Sequence, residues 1–164
     1  MIRTGIGYDI HRFESGRRLV LGGVEIAPDH GLAGHSDADV VLHALADALL
    51  GAAALGDIGH LFPPSDPAIA GIDSRVILRA AATHIREAGY ILANVDITII
   101  AERPKIAPHI AAMRSVIARE LQIPETSVGI KATTNEQLGA IGREEGIAAL
   151  AVATIIDRRL MERL

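Results

Sequence analysis

The stretch Ile147-Ala148-Ala149-Leu150-Ala151-Val152-Ala153-Thr154-Ile155-Ile156 constrains the fold more than any other part of this chain. It reads as a strand that is apolar on both faces. A half-buried strand would alternate between polar and apolar residues, so this one wants cover on both sides. A chain of 164 residues has two ways to supply it. Either its own helices cover both faces, or one face lies against another subunit. The sequence leaves both open.

The other elements follow from local signals. Residues 2–13 read as a first strand. Arg18–Ile26 reads as a hairpin turning at Gly22-Gly23, and Pro28–Gly34 as a loop. A helix starts near Ser36 or Asp37. Ser36 can cap it, and Asp37 and Asp39 in its first turn complement the helix dipole. It runs to about Ala54, and Gly56–His60 ends it. Leu61–Pro67 is too rich in proline for a regular helix or a central strand. Asp73 or Ser74 caps a second helix to about Ala88, stopped by Gly89. Tyr90–Ala101 contains the β-branched strand Asn94–Ile100. A third helix covers roughly Pro108–Leu121. Ser127–Ala132 and Gly146–Asp157 are strands, with a short helical turn between them. No repeat, low-complexity tract or long linker interrupts this order, so residues 1–164 read as one domain. The order predicts an α+β fold, an α/β sandwich with helices covering one side of a mixed sheet.

Composition excludes several classes of function. The net charge of −4 argues against a general nucleic-acid binder, which would be basic. Aromatics make up only 2%, so platforms for stacking bases are few. There is no Cys, hence no disulfide framework and no thiolate nucleophile. The start Met1-Ile2-Arg3-Thr4-Gly5 has no apolar run behind a basic one, and no apolar stretch is long enough to span a membrane. The expectation is a cytoplasmic protein that binds neither nucleic acid nor membrane.

Asp9, His11 and His43 are the most informative polar residues. Asp9 and His11 are two apart in a strand, so both side chains leave one face. His43 arrives from a separate helix. One carboxylate and two imidazoles suit a divalent metal such as zinc, with a position left open for substrate. Asp39 and Asp47 sit four residues either side of His43, so either could orient its ring. The competing reading is a satisfied buried histidine beside two surface residues. His35-Ser36 precedes a helix, where free N–H groups attract an anion; the competing reading of Ser36 is a simple helix cap. Glu102-Arg103-Pro104-Lys105 follows a strand end, a common ligand position, or is an ordinary solvated loop. Lys131-Ala132-Thr133-Thr134-Asn135-Glu136 also lies at a strand end. Its hydroxyls and N–H groups can hold phosphate oxygens, and Glu136 suits Mg²⁺. Thr133-x-x-Glu136 also fits a capping box. Gly5-x-Gly7 is a weak dinucleotide signal, since the third glycine is missing.

Taken together, several stretches resemble one family. They are Gly7-Tyr8-Asp9-Ile10-His11-Arg12-Phe13, Leu21-Gly22-Gly23-Val24, Gly34-His35-Ser36-Asp37-Ala38-Asp39, Leu55-Gly56-Asp57-Ile58-Gly59, Phe62-Pro63, Glu102-Arg103-Pro104-Lys105, Lys131-Ala132-Thr133-Thr134 and Gly142-Arg143-x-Glu145-Gly146-Ile147. The chain resembles the 2-C-methyl-D-erythritol 2,4-cyclodiphosphate synthases of the non-mevalonate isoprenoid pathway, from about residue 2 to 157. These enzymes are phosphorus-oxygen lyases. They convert 4-diphosphocytidyl-2-C-methyl-D-erythritol 2-phosphate to the cyclic diphosphate and release CMP.

The resemblance implies a sheet of four-stranded type, with three copies packed around a three-fold axis as a homotrimer. It implies zinc at Asp9, His11 and His43, and magnesium or manganese near Glu136, bridging substrate phosphates. His35 and Thr134 match transition-state stabilisers. Asp9, His11, His35 and Ser36 match substrate contacts around the metal, and Asp57, Ile58 and Gly59 match contacts to the erythritol. Phe62, Pro63, Pro64, Ser65 and Asp66 match a mobile loop over the substrate. Ala101, Glu102, Arg103, Pro104, Lys105, Ile106 and Ala107 match the cytidine diphosphate pocket. Ala132, Thr133, Asn135 and Glu136 complete it, and Arg143 matches a further contact. Ala140 stands where the family usually has Phe, and Leu150 where some members have Glu. These changes imply weaker or absent isoprenoid diphosphate binding in the central cavity of the trimer. Two other functions fit the residues alone: a metal-dependent phosphohydrolase using a bound hydroxide, and a non-catalytic nucleotide-binding trimer.

Overall fold

In the computed structural model, residues 1–63 and 65–161 are described. The chain opens with β1 (Ile2–Ser15), β2 (Leu19–Leu21), β3 (Val24–Ala27) and β4 (His30–Leu32). Helix α1 (Val40–Ala53) and the short α2 (Ile58–Leu61) follow, then α3 (Ser74–Glu87) and β5 (Tyr90–Ile100). The second half contains α4 (Ile110–Leu121), β6 (Val128–Thr133), α5 (Gly139–Gly142), β7 (Gly146–Asp157) and α6 (Arg158–Met161). The main sheet has the order β4-β1-β7-β5-β6. Its β5–β6 pair is parallel, and the β1–β4, β1–β7 and β5–β7 pairs are antiparallel, so the sheet is mixed.

The sheet has five strands rather than four. The extra one, β4, lies in the stretch whose sequence reads as a loop, where Phe13, Glu14 and Ser15 pair with Leu32, Gly31 and His30. Three residues around a glycine carry too little pattern to announce a strand. The overhanging end of β1 recruits them.

The core lies between one sheet face and α1, α3 and α4. Leu42, Leu45, Leu49 and Leu50 of α1 are fully buried, as are Leu78 of α3 and Met113 of α4. A helix apolar nearly all round belongs in an interior, and α1 lies across β1 and β7 with α3 outside it. Gly5 and Gly7 make that closeness possible. A Cβ on Gly5 would sit 2.1 Å from the Ala48 carbonyl oxygen, and one on Gly7 would sit 1.9 Å from that of Ala44.

The cap of α1 is Asp39, not Ser36. Its carboxylate accepts from the backbone N–H groups of Val41 and Leu42, and from those of Gly22 and Gly23 at the β2–β3 turn. Burial pushes this carboxyl up to about 6, against the downward pull of those N–H groups. Asp73 caps α3, as the sequence allows. No helix begins at Thr133, so the capping box read at Thr133–Glu136 does not form.

Ile147, Ala149, Ala151, Ala153 and Ile155 of β7 face the helices and are buried. Among the described residues the opposite side of the strand is largely uncovered, the buried Ala148 apart. There Ile6 pairs with Val152, Tyr8 with Leu150 and Ile10 with Ala148. Ile6 is 67% exposed, Tyr8 55% and Ile10 46%. Among the described residues, helices therefore cover mainly one face of the doubly apolar strand.

Gly7→Ala is expected to destabilise the fold by about 3 kcal/mol, because α1 must lift off β1 to admit the methyl group. Urea unfolding measures this, and an unchanged midpoint would show that the close approach is dispensable.

Candidate functional site

Asp9 and His11 lie on the β1 face that α1 covers, opposite Ala149 and Ile147 of β7. His43 comes from the first turn of α1. The three donor atoms lie within 4.8 Å of one another. His11 Nε2 is 2.9 Å and His43 Nδ1 3.0 Å from the same oxygen, Asp9 Oδ2. Among the described residues no other group of this kind forms. Burial pushes the Asp9 carboxyl up, but the hydrogen bonds to His11 and His43 outweigh it and hold it well below the usual carboxylate range. The same bond to Asp9, working against burial, raises the His11 imidazole above its ordinary 6.5.

The distal nitrogens of both rings are occupied. His11 Nδ1 is 2.5 Å from the Ala33 carbonyl, to which it donates, so Nε2 is the nitrogen that faces Asp9. His43 Nε2 lies 2.9 Å from Ser74 Oγ and 3.1 Å from Ser36 Oγ. Metal-binding histidines are ordinarily oriented through the second nitrogen in this way. The donor set, its partial burial and its anchoring fit a divalent metal.

Neither aspartate suggested by helical spacing orients His43. Asp39 is consumed by its cap, and Asp47 accepts from the Ile58 N–H at 2.8 Å, tying α2 to α1. The orienting groups are hydroxyls. Ser74 gave no signal beyond a possible capping role, because its partner stands 31 residues away in sequence. Arg17 is a second residue that sequence reasoning missed. Its guanidinium donates to the carbonyls of Gly34 (2.8 Å) and Ser36 (2.5 Å), bracketing His35.

A pocket of about 170 Å³ opens beside the histidines. His35, Ser36, Ile58, Gly59 and Phe62 line it together with His11 and His43. Asp57 stands at the α2 N-terminus, where it accepts from the His60 N–H. Pro63, Ser65 and Asp66 are exposed on the loop that follows. Pro64 lies outside the described residues, as do residues 162–164.

A second group assembles at the ends of β5 and β6. The Ala101 N–H donates to the Thr133 carbonyl. Glu102 Oε1 accepts from the Asn135 and Gln137 N–H groups at 2.9 and 3.1 Å. Thr134 Oγ1 donates to Glu136 Oε1 at 3.3 Å. Glu102, Arg103, Pro104 and Lys105 also line a cleft of about 570 Å³ with Phe13, His30 and Glu144. Ala132 to Glu136 are exposed, while Ala101 and Ile106 are buried and Ala107 is exposed. Lys131 is engaged elsewhere, pairing with Asp96 at 2.5 Å. Arg143 is exposed and pairs with Glu145 at 2.6 Å, and Ala140 is exposed near it.

These two groups lie apart. Thr133 is aligned with Ile100, Ile100 with Ala148, and Ala148 with Ile10. Three strand spacings, about 14 Å, separate β6 from β1. Within one chain, Glu136 is not part of the Asp9–His11–His43 cluster.

The YgbB family model matches residues 2–156. The chain belongs to the YgbB family. It is 59% identical over 157 residues to 2-C-methyl-D-erythritol 2,4-cyclodiphosphate synthase of Moorella thermoacetica, covering 96% of each chain. It is 61% identical over 154 residues to the enzyme of the same name from Symbiobacterium thermophilum, covering 94% of this chain and 98% of that one. A solved IspF–CDP complex from Plasmodium falciparum superposes with a TM-score of 0.84 at 36% identity. That match covers 96% of this chain and 97% of the other.

Protons compete with metal for His11, and its raised pKa strengthens the competition. Metal affinity is therefore expected to fall by about tenfold per pH unit as pH drops below the raised His11 value, while Asp9 stays anionic. Calorimetric titration with Zn²⁺ between pH 5 and about 8 measures this. A flat profile would remove His11 from the ligand set.

Proposed function

We infer that this chain is a 2-C-methyl-D-erythritol 2,4-cyclodiphosphate synthase acting on 4-diphosphocytidyl-2-C-methyl-D-erythritol 2-phosphate. The observation that carries the reading is the Asp9–His11–His43 cluster beside the pocket holding His35, Ser36, Gly59 and Phe62, in a member of this family. A 2-phosphate oxygen of the substrate attacks the β-phosphorus. The bond from that phosphorus to the bridging oxygen breaks, and CMP leaves with the electron pair. The nucleophile belongs to the substrate, so the protein supplies positioning and charge neutralisation.

The Asp9–His11–His43 cluster would hold zinc and Glu136 magnesium or manganese, and cations bound there would polarise phosphoryl oxygens and offset developing charge. His35 and Thr134 donate hydrogen bonds to oxygens that gain charge. Asp57, Ile58 and Gly59 orient the erythritol. Phe62 to Asp66 close over it and exclude water, which favours cyclisation over hydrolysis. Ala101 to Ala107 hold the cytidine diphosphate with Ala132, Thr133 and Asn135, and Arg143 adds a positive charge nearby.

We further propose that the working unit is a cytoplasmic homotrimer with its sites between subunits. Two features support this. The metal group and the nucleotide group stand about three strand spacings apart on one chain. The uncovered face bearing Ile6, Tyr8, Ile10 and Leu150 is apolar, as an obligate interface would be. No helix among the described residues is long and apolar enough to cross a membrane.

Phosphorus NMR of the reaction with the cytidylyl substrate is expected to show the cyclic diphosphate and CMP. Inorganic phosphate would point instead to a hydrolase. His43→Ala is expected to abolish turnover and bound metal together, and full activity in a metal-free variant would remove the metal from the mechanism. Ile6→Glu is expected to shift sedimentation from trimer to monomer and to abolish turnover. An active Ile6→Glu monomer would place the whole site within one chain.

A further inference from the structure

We propose that Ser74 and Asp37 are positioning residues for the metal centre, which select the ring form of His43 that binds metal through Nδ1. The proposal rests on the metal-site reading above. Neither residue touches the metal position, and neither is a ligand candidate by sequence.

The argument turns on where the Ser74 hydroxyl sends its proton. Ser74 is fully buried. Its Oγ–H donates to Asp37 Oδ1 at 2.5 Å, and its backbone N–H donates to Asp37 Oδ2 at 3.1 Å. With its one proton committed to a carboxylate, Ser74 Oγ can only accept from His43 Nε2, 2.9 Å away. That bond requires the proton on Nε2. That leaves Nδ1, which contacts Asp9 Oδ2 at 3.0 Å in this structure, as the nitrogen that gives up its proton to bind a cation. Ser36 Oγ, already accepting from the Ala38 N–H, gives the same N–H a second oxygen at 3.1 Å. Asp37 is held in place in turn, since its N–H donates to the Ile72 carbonyl at 3.0 Å. The neighbouring His35 carbonyl accepts from the Gly71 N–H at 2.7 Å. The relay thus joins the ligand on α1 to the start of α3. Helix capping does not explain Ser74, because Asp73 is the α3 cap.

The test uses Ser74→Ala, Ser74→Thr and Asp37→Asn in the full chain, with Zn²⁺ as the probe in competition with a chromophoric chelator. Removing such an outer partner typically costs about 10–100-fold in metal affinity. Ser74→Ala is expected to lose that much, Asp37→Asn to weaken affinity in the same direction, and Ser74→Thr to recover most of it. In the zinc-loaded protein, proton NMR is expected to show a slowly exchanging His43 Nε2–H resonance that exchanges faster in Ser74→Ala, where Ser36 Oγ is left as its acceptor, and slows again in Ser74→Thr. A merely structural role would not move that signal. Circular dichroism of the metal-free variants checks folding, and should Ser74→Ala not fold, Asp37→Asn decides by the same measurements. Wild-type affinity in Ser74→Ala, or equal losses in the alanine and threonine variants, would overturn the proposal. Zinc binding is read without substrate, so failure here is distinct from failure of the cyclase reading.

Discussion

The seating of α1 directly on β1 is the contact on which the rest of the site depends. It exists because Gly5 and Gly7 put no side chain between strand and helix. Asp9 and His11 continue the same strand face two and four residues beyond Gly7, and His43 lies at the start of the helix that the glycines admit. Three donors can gather within 4.8 Å only if helix and strand run this close. Asp39 fixes the helix at the same end. Its buried carboxylate caps α1 and also grips the Gly22–Gly23 turn, so the β2–β3 hairpin and the His43 backbone form one unit. Packing thus brings the ligands together, and the hydrogen bonds to the distal nitrogens then set their angles.

Much of this was legible in the sequence. The long strands at residues 2–13 and 146–157 carry their pattern over many residues, and α3 is bracketed by Asp73 and Gly89. Asp9 and His11 could be placed on one face from strand geometry alone. The entry to α1 was not legible, because Ser36, Asp37 and Asp39 are all acceptable caps by type. Tertiary structure chose among them, placing Ala38 at φ 58° and turning Asp39 toward the hairpin. The extra strand β4 owes its existence to a neighbour rather than to its own three residues. Ser74 escaped notice for a related reason: a serine beside a helix cap looks like part of the cap, and nothing local reports that its hydroxyl meets a histidine of another helix.

The doubly apolar strand left two arrangements open, and the fold separates them. One face of β7 is sealed by α1, while the other continues an apolar surface across Ile6, Tyr8 and Ile10 of β1. Leaving side chains of this size in water forfeits the free energy that their burial would yield, about 1.5–3 kcal/mol for each large one. A surface of that kind is ordinarily an interface. It also relates to the chemistry. The metal group and the group at Thr133–Glu136 lie on different strands of one sheet, too far apart to hold one diphosphate between them. The proposed association through the apolar face would let the first group of one copy meet the second group of another.

That division has a physical advantage for a reaction whose nucleophile belongs to the substrate. Cyclisation competes with attack by water, and the protein can favour the ring only by holding the phosphate arm in place and keeping water out. A groove carried on one small domain would stay open along one side. A site assembled from two surfaces has two walls, each rigid before substrate arrives. The proposed metal wall is built on β1 and α1, which pack closely together, and the proposed nucleotide wall is braced by Glu102 across Asn135 and Gln137. Helix α2, which contributes to the pocket beside the histidines, is tethered to α1 through Asp47. Rigid walls suit a catalyst that works by placement rather than by a reactive side chain.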